Sequence, residues 1–438
     1  MNITSRNNIL YSKGGGHYMP AFFKLAIFND ADFSKINEWD EISVALFFHE
    51  YIHFLQDIST IYGLNNIIRI GEIIQEAIAG FKSGNANFET PLVFCQGNVN
   101  TKDIDVVLGG DRGEIDLEIV INGVELVSTF PVNNTSTYFV PKVIIDYNEG
   151  NKINFGSHAI MESMAYIAEQ YVSRNELKAA QYPYHMAKMV VDFQCPGFSV
   201  DILNVYVLCD LSLMHSEPGS AFIKYLAKIT ESGHQFSSPE EIYEFFDDEK
   251  FTIDDHLDDF KEKKLSRLEL YLNLASRALF YISGYFQHIE QHPNIEYLKH
   301  QLNVVAGYRK YDPNFMLNIL KEKKFYGNKQ LMKLLSLLGS PLLVDLSGNT
   351  FFLPPINTDI ESDMEIPWLM TQFLSDISGN SSICKALAVC RRVEDRFPLG
   401  EYTNENCYEK PWKRAQQLPQ CSYGKLLTLW GINVKNVK

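Results

Sequence analysis

The sequence predicts an α+β fold: helical segments interrupted by a β-rich insertion at about 90–148 and followed by a mainly helical carboxy-terminal region. Three observations predict it. Long runs free of Gly and Pro carry apolar residues at helical spacing on both sides of the interval 90–148. Inside that interval the apolar runs shorten to about four residues, rich in Val and Ile and separated by turn residues. The composition, 46% hydrophobic in 438 residues, supports more than one sizeable core. The expected division falls near residue 235, with the insertion inside a first domain, 1–235, and a helical second domain, 236–438.

In chain order, 21–28 reads as a strand, an edge to which an extended peptide could add. Trp39-Asp40-Glu41 then supplies acids at a helix start, and no Gly or Pro follows until after Thr60, about five turns. A second helix is expected over 64–81. The insertion holds candidate strands at 105–108, 118–121 and 142–145, and Asn122-Gly123 between Ile121 and Val124 predicts a two-residue hairpin turn. Helices are expected at 157–174, 182–193, 199–214 and 218–230. The acid-rich stretch 240–262 reads as a solvated helix face and loop. A long amphipathic helix over 265–291, two or three further helices, and a hairpin pairing 342–344 with 351–353 complete the chain.

One pentapeptide carries chemistry. His49-Glu50-Tyr51-Ile52-His53 lies within the first long helix, where residues four apart share a face, so both imidazoles can point at one metal with Glu50 beside them. This HExxH pattern resembles the zincin metallopeptidases. The resemblance implies a zincin-like metallopeptidase core, Zn2+ as cofactor, His49 and His53 as ligands and Glu50 as general base.

Catalytic zinc normally takes three protein ligands and keeps one position open, so one ligand remains to be found. Where the metzincin pattern places Gly, three residues past the second His, this chain has Gln56, and the helix continues. Asp57 follows one turn beyond His53, too far along the axis from His49 for a ligand and suited to a supporting or surface role. The stronger candidate is Glu162, flanked by Gly156, Ala159 and Ala165, a stripe of small residues that lets another helix approach. It resembles the gluzincin arrangement, in which a glutamate on a second helix completes the site. His158 and Glu169 are the alternatives. For a donor to a developing oxyanion the candidates are His215, at an expected helix end, and His185, His158 and Tyr166; His215 is the one carried forward.

A net charge of −15 argues against a nucleic-acid binder, and no apolar run is long enough to span a membrane. Residues 1–16 are polar and lack a secretory pattern, and the seven cysteines are scattered, so a cytoplasmic setting with reduced thiols is expected. Cys384, Cys390, Cys407 and Cys421 contain no CxxC pair and read as buried free thiols rather than a metal site. The expected function is a cytoplasmic zinc-dependent metallopeptidase that cleaves a specific protein or peptide substrate, restrained by a regulatory partner and serving as a stress or defence effector. Its rivals are a zinc hydrolase of non-peptide amides or esters and a non-catalytic, metal-stabilised scaffold.

Overall fold

The computed structural model describes residues 16–19, 23–27, 35, 38–89, 92, 95–96, 99–100, 109–111, 113–131, 139–173, 178–255, 261–284, 293–345, 349–360, 365–379, 383–396 and 403–432. Within these, helices and strands are mixed, as an α+β chain requires.

Strands β1 (Gly16–Met19) and β2 (Lys24–Ile27) pair antiparallel. Helix α1 (Glu41–Ser59) begins where Asp40 caps it, its carboxylate accepting from the Ser43 N–H at 2.8 Å, with Glu41 adding negative charge to the first turn. The helix is buried on nearly every side. Thr60 ends α1 and starts α2 (Ile61–Ser83): its hydroxyl donates to the Gln56 carbonyl at 2.6 Å and accepts from the Gly63 N–H at 3.0 Å. The turn is so tight that a Cβ at Gly63 would lie 2.3 Å from the Asp57 carbonyl oxygen.

Beyond the short pair β3 (Cys95–Gln96) and β4 (Val99–Asn100), a three-stranded antiparallel sheet forms in the order β5 (Ile121–Pro131), β6 (Phe139–Tyr147), β7 (Asn151–Phe155). The expected β-rich insertion is present, but its turn is elsewhere. Asn122-Gly123 lies inside β5, with a register shift between Ile121 and Gly123, and the tight turn follows β6 at Asn148-Glu149-Gly150. Residues 118–120 are not a strand; they are held by Asn148, whose side chain donates to the Glu118 carbonyl at 2.6 Å and accepts from the Val120 N–H at 2.8 Å. The candidate strand 105–108 lies outside the described residues.

Four helices follow: α3 (Ser157–Val172), α4 (Met186–Gln194), α5 (Ile202–Leu213) and α6 (Pro218–Ser232). The third starts later than its apolar pattern suggests because Asp201 caps it, accepting from the Leu203 N–H at 3.0 Å. The acid-rich stretch expected as helix face and loop instead supplies a short helix, α7 (Glu240–Phe245), and a hairpin of β8 (Lys250–Asp255) with β9 (Lys261–Ser266). Then come α8 (Arg267–Gly284), α9 (Pro293–Tyr311), α10 (Phe315–Asn318) and α11 (Lys329–Leu338), the strands β10 (Leu342–Val344) and β11 (Thr350–Phe351), and helices α12 (Ile366–Ile377), α13 (Leu387–Arg396), α14 (Asn406–Glu409), α15 (Pro411–Ala415) and α16 (Ser422–Leu429).

Buried apolar packing continues across residue 235. One cluster of buried apolar side chains runs from Tyr18 to Ile432, and the first sheet has the order β1-β2-β10-β11, with β10 parallel to β2. The strand expected at an edge is therefore interior, and β1 and β11 are the outer strands. Later helices also brace α1. The Tyr271 hydroxyl of α8 donates to the Ile58 carbonyl at 2.8 Å, and the Arg309 guanidinium of α9 donates to the Ser59 carbonyl at 2.9 Å. With Thr60 on Gln56, three of the last four carbonyls of α1 find donors, satisfying groups a helix end leaves orphaned. Arg309 is anchored in turn by Asp210 of α5, through contacts of 2.8 and 3.0 Å. Among the described residues no helix is long and apolar enough to cross a membrane.

Candidate metal centre

Helices α1 and α3 pack against each other, and Ala159 and Ala165, one turn to either side of Glu162, are both fully buried. That contact brings Glu162 to the two histidines. His49 Nε2 lies 3.2 Å from Glu162 Oε2, His53 Nε2 lies 3.4 Å from the same oxygen, and the two Nε2 atoms are 3.2 Å apart. All three residues are buried, and one ligand atom from each lies within 4.8 Å of the others, so the group could hold a metal ion.

The far side of each imidazole explains why the Nε2 atoms are the ones presented. His49 Nδ1 is 2.8 Å from Glu169 Oε2, a carboxylate that accepts its proton. His53 Nδ1 is 2.8 Å from Gln56 Oε1. The orientation of that amide is set because Gln56 Nε2 donates to the Met161 carbonyl at 3.1 Å, leaving Oε1 as the acceptor. Nδ1 of each ring is thus engaged on the far side, and Nε2 is the atom presented to the Glu162 carboxylate. Two ring nitrogens and a carboxylate oxygen gathered at one point can hold a cation among them in place of ring protons. The donor set, two imidazole nitrogens and one carboxylate, is one that zinc accepts with an open position left over.

Charge is arranged to match. Burial opposes ionisation of Glu162, but His53 and His49 hold its carboxyl well below the usual range. For His49, burial opposes protonation while Glu162 and Glu169 overcome it and raise the ring well above its ordinary value. Glu50 behaves differently: burial pushes it up to about 7, with His49 and His53 opposing. It sits under β1, where a Cβ added at Gly16 would come within 2.7 Å of Glu50 Cγ. Any side chain at position 16 would displace the Glu50 carboxyl. Asp57, suited by its spacing to a supporting or surface role, is buried and accepts from the Tyr18 hydroxyl at 2.9 Å, tying β1 to α1.

Of the residues singled out in the sequence, His49, Glu50, His53 and Glu162 come together. His158 and Glu169, the alternative third ligands, occupy supporting positions, His158 Nδ1 at 3.8 Å from Glu162 Oε1 and Glu169 behind His49. His215 stands apart: it bonds to the Tyr225 hydroxyl at 2.6 Å, lies 3.3 Å from Glu249 and packs on Phe251, in a pocket that includes none of the three ligands. Its expected place at a helix end is correct, yet that end faces away from the metal centre. Tyr166 packs on His185 and on Tyr184.

Tyr184 was not anticipated. Its ring lies 6.1 Å from that of His49, and burial together with the charges of Glu162, Glu114, Glu50 and Glu169 keeps its hydroxyl protonated. Ser163, next to Glu162, positions the loop that carries it, donating to the Pro183 carbonyl at 2.9 Å and accepting from the Ala187 N–H at 3.1 Å. No periodicity marks this tyrosine, because it lies in a turn between helices; the role of Gln56, three residues past His53, was readable from helical spacing. Comparison with known protein families, with curated proteins and with solved structures finds no match.

Proposed function

We propose that this chain is a zinc-dependent peptidase of gluzincin type, with His49, His53 and Glu162 as metal ligands and Glu50 as general base. One observation carries the reading: two imidazole nitrogens and a carboxylate oxygen gather where one cation could be held, and a further buried carboxyl, Glu50, follows His49 directly on α1. A purely structural site has no use for such a base. When bound, zinc supplies a Lewis acid that polarises a carbonyl and lowers the pKa of water at its open position. Glu50 takes the proton from the attacking water and passes it to the leaving amine. Tyr184, held protonated near His49, donates to the oxyanion as charge develops there.

A peptide fits the surroundings. Among the described residues β1 is an outer strand of its sheet, and its Gly16 lies against Glu50, so an extended substrate pairing with β1 would be brought near the metal centre. The test is to incubate the zinc-loaded protein with a proteome-derived peptide library and read new termini by mass spectrometry, beside Glu50→Gln. New termini with the unaltered protein, reduced by about 10²–10⁴-fold in Glu50→Gln while metal is retained, support the reading. Equal cleavage by both proteins would overturn it. Tyr184→Phe should lower turnover by about 10²-fold without loss of metal.

A further inference from the structure

The four carboxy-terminal cysteines, expected as buried free thiols rather than a metal site, share one small cavity. Cys384, Cys390, Cys407 and Cys421 all line it, together with Arg414 and Tyr423. None is in a disulfide. The thiols are close enough to act on one another, Cys390, Cys407 and Cys421 on Cys384, and Cys421 and Cys407 on Cys390. They come from four successive pieces of chain: Cys384 just before α13, Cys390 within it, Cys407 in α14 and Cys421 at the start of α16. The Cys384 N–H donates to the Cys407 carbonyl at 2.6 Å, which clamps the first piece to the third.

We propose that Cys384, Cys390, Cys407 and Cys421 form a second, structural zinc site of tetrathiolate type that ties the segment 383–432 together. Soft thiolates select such a cation, and a closed set of four is the usual structural arrangement. Without metal, burial keeps Cys390 and Cys407 as thiols; Arg414, 2% exposed, opposes this from the cavity wall and would offset the net negative charge that four thiolates leave around a divalent ion. The backbone suits such a site too. Helices α14, α15 and α16 have 4, 5 and 8 residues, too short to persist on propensity alone, and small units of this kind gain folding energy from a metal clip. Among the described residues only the histidine trio gathers its ligand atoms within 4.8 Å. Metal binding therefore draws the four sulfurs in to about 3.8 Å apart, as ~2.3 Å zinc–sulfur bonds at tetrahedral angles require. The thiol protons are released to solvent as the bonds form.

This site is independent of the peptidase reading, and the experiment separates the two. Metal content is measured on the full chain as His49→Ala/His53→Ala and as Cys407→Ser/Cys421→Ser, both expressed with ample zinc. The histidine variant should keep one zinc per chain, released by a mercurial thiol reagent, and the cysteine variant should lose that zinc. Cobalt substituted into the histidine variant should show thiolate-to-metal charge-transfer absorption, which decides the matter even if the cysteine variant fails to fold. A histidine variant that contains no zinc and whose four thiols react freely, or a cobalt spectrum without thiolate bands, would overturn the proposal.

Discussion

His49, His53 and Glu162 project from helices of 19 and 16 residues, whereas the four cysteines sit on or between helices of 10, 4 and 8 residues. The first set is already gathered, its imidazoles locked from behind by Glu169 and Gln56 and its helix end held by Tyr271 and Arg309. The second set shares a cavity but is not drawn together. The difference teaches which partner does the organising. Where long packed helices carry the ligands, the fold prepares the site for a metal; where short helices carry them, the metal must complete the fold.

The sharpest way to break that contrast is to remove metal and follow amide hydrogen exchange. Protection in α1 and α3 should persist, while α13 to α16 should lose it by orders of magnitude, since metal-binding energy in such small units is folding energy. Equal loss in both regions would erase the distinction. Next in size is Arg309→Met, which strands Asp210 as a buried unpaired charge and frees the Ser59 carbonyl. It should cost about 3–5 kcal/mol in urea unfolding.

The junction of the two regions offers a third test. Lys24, on β2, is buried with its ammonium 3.6 Å from the centroid of the Trp368 ring, and burial, with Lys385 adding repulsion, lowers it to about 7. The unfolded chain therefore binds the extra proton between about pH 7 and 10.5, and stability rises with pH across that window, by at most about 1.4 kcal/mol per unit. Lys24→Met should stabilise the protein by a few kcal/mol at pH 6, with the gain fading as pH approaches 10 in thermal melts. The smallest effect is the most local. Glu169→Gln removes the carboxylate behind His49 and should weaken metal binding at the histidine centre by about 10–100-fold in a chelator competition, leaving the cysteine site untouched.

Much of the histidine centre was legible in the sequence because its information is helical and local. His49, Glu50 and His53 share a face by spacing, and the small residues beside Glu162 mark where a second helix can approach. What failed depends on distant partners. That β2 is interior follows from its pairing with β10, more than 300 residues away, which no local pattern records. Asn122-Gly123 has turn chemistry, but the long pairing of β5 with β6 absorbs it as an irregularity. His215 and Tyr184 both occupy turns whose direction is set by tertiary contacts. The cysteines lack any short spacing motif because the chain folds back through several short helices to bring them together.

His49, His53 and Glu162 are proposed to hold one zinc. Anomalous diffraction at the zinc edge from crystals of zinc-loaded protein tests it most directly. A peak is expected about 2.0–2.2 Å from His49 Nε2, His53 Nε2 and a Glu162 carboxylate oxygen, with Glu50 beside it and outside the ligand set. No peak at that position in zinc-replete crystals, or a peak ligated by Glu50 in place of Glu162, would contradict it.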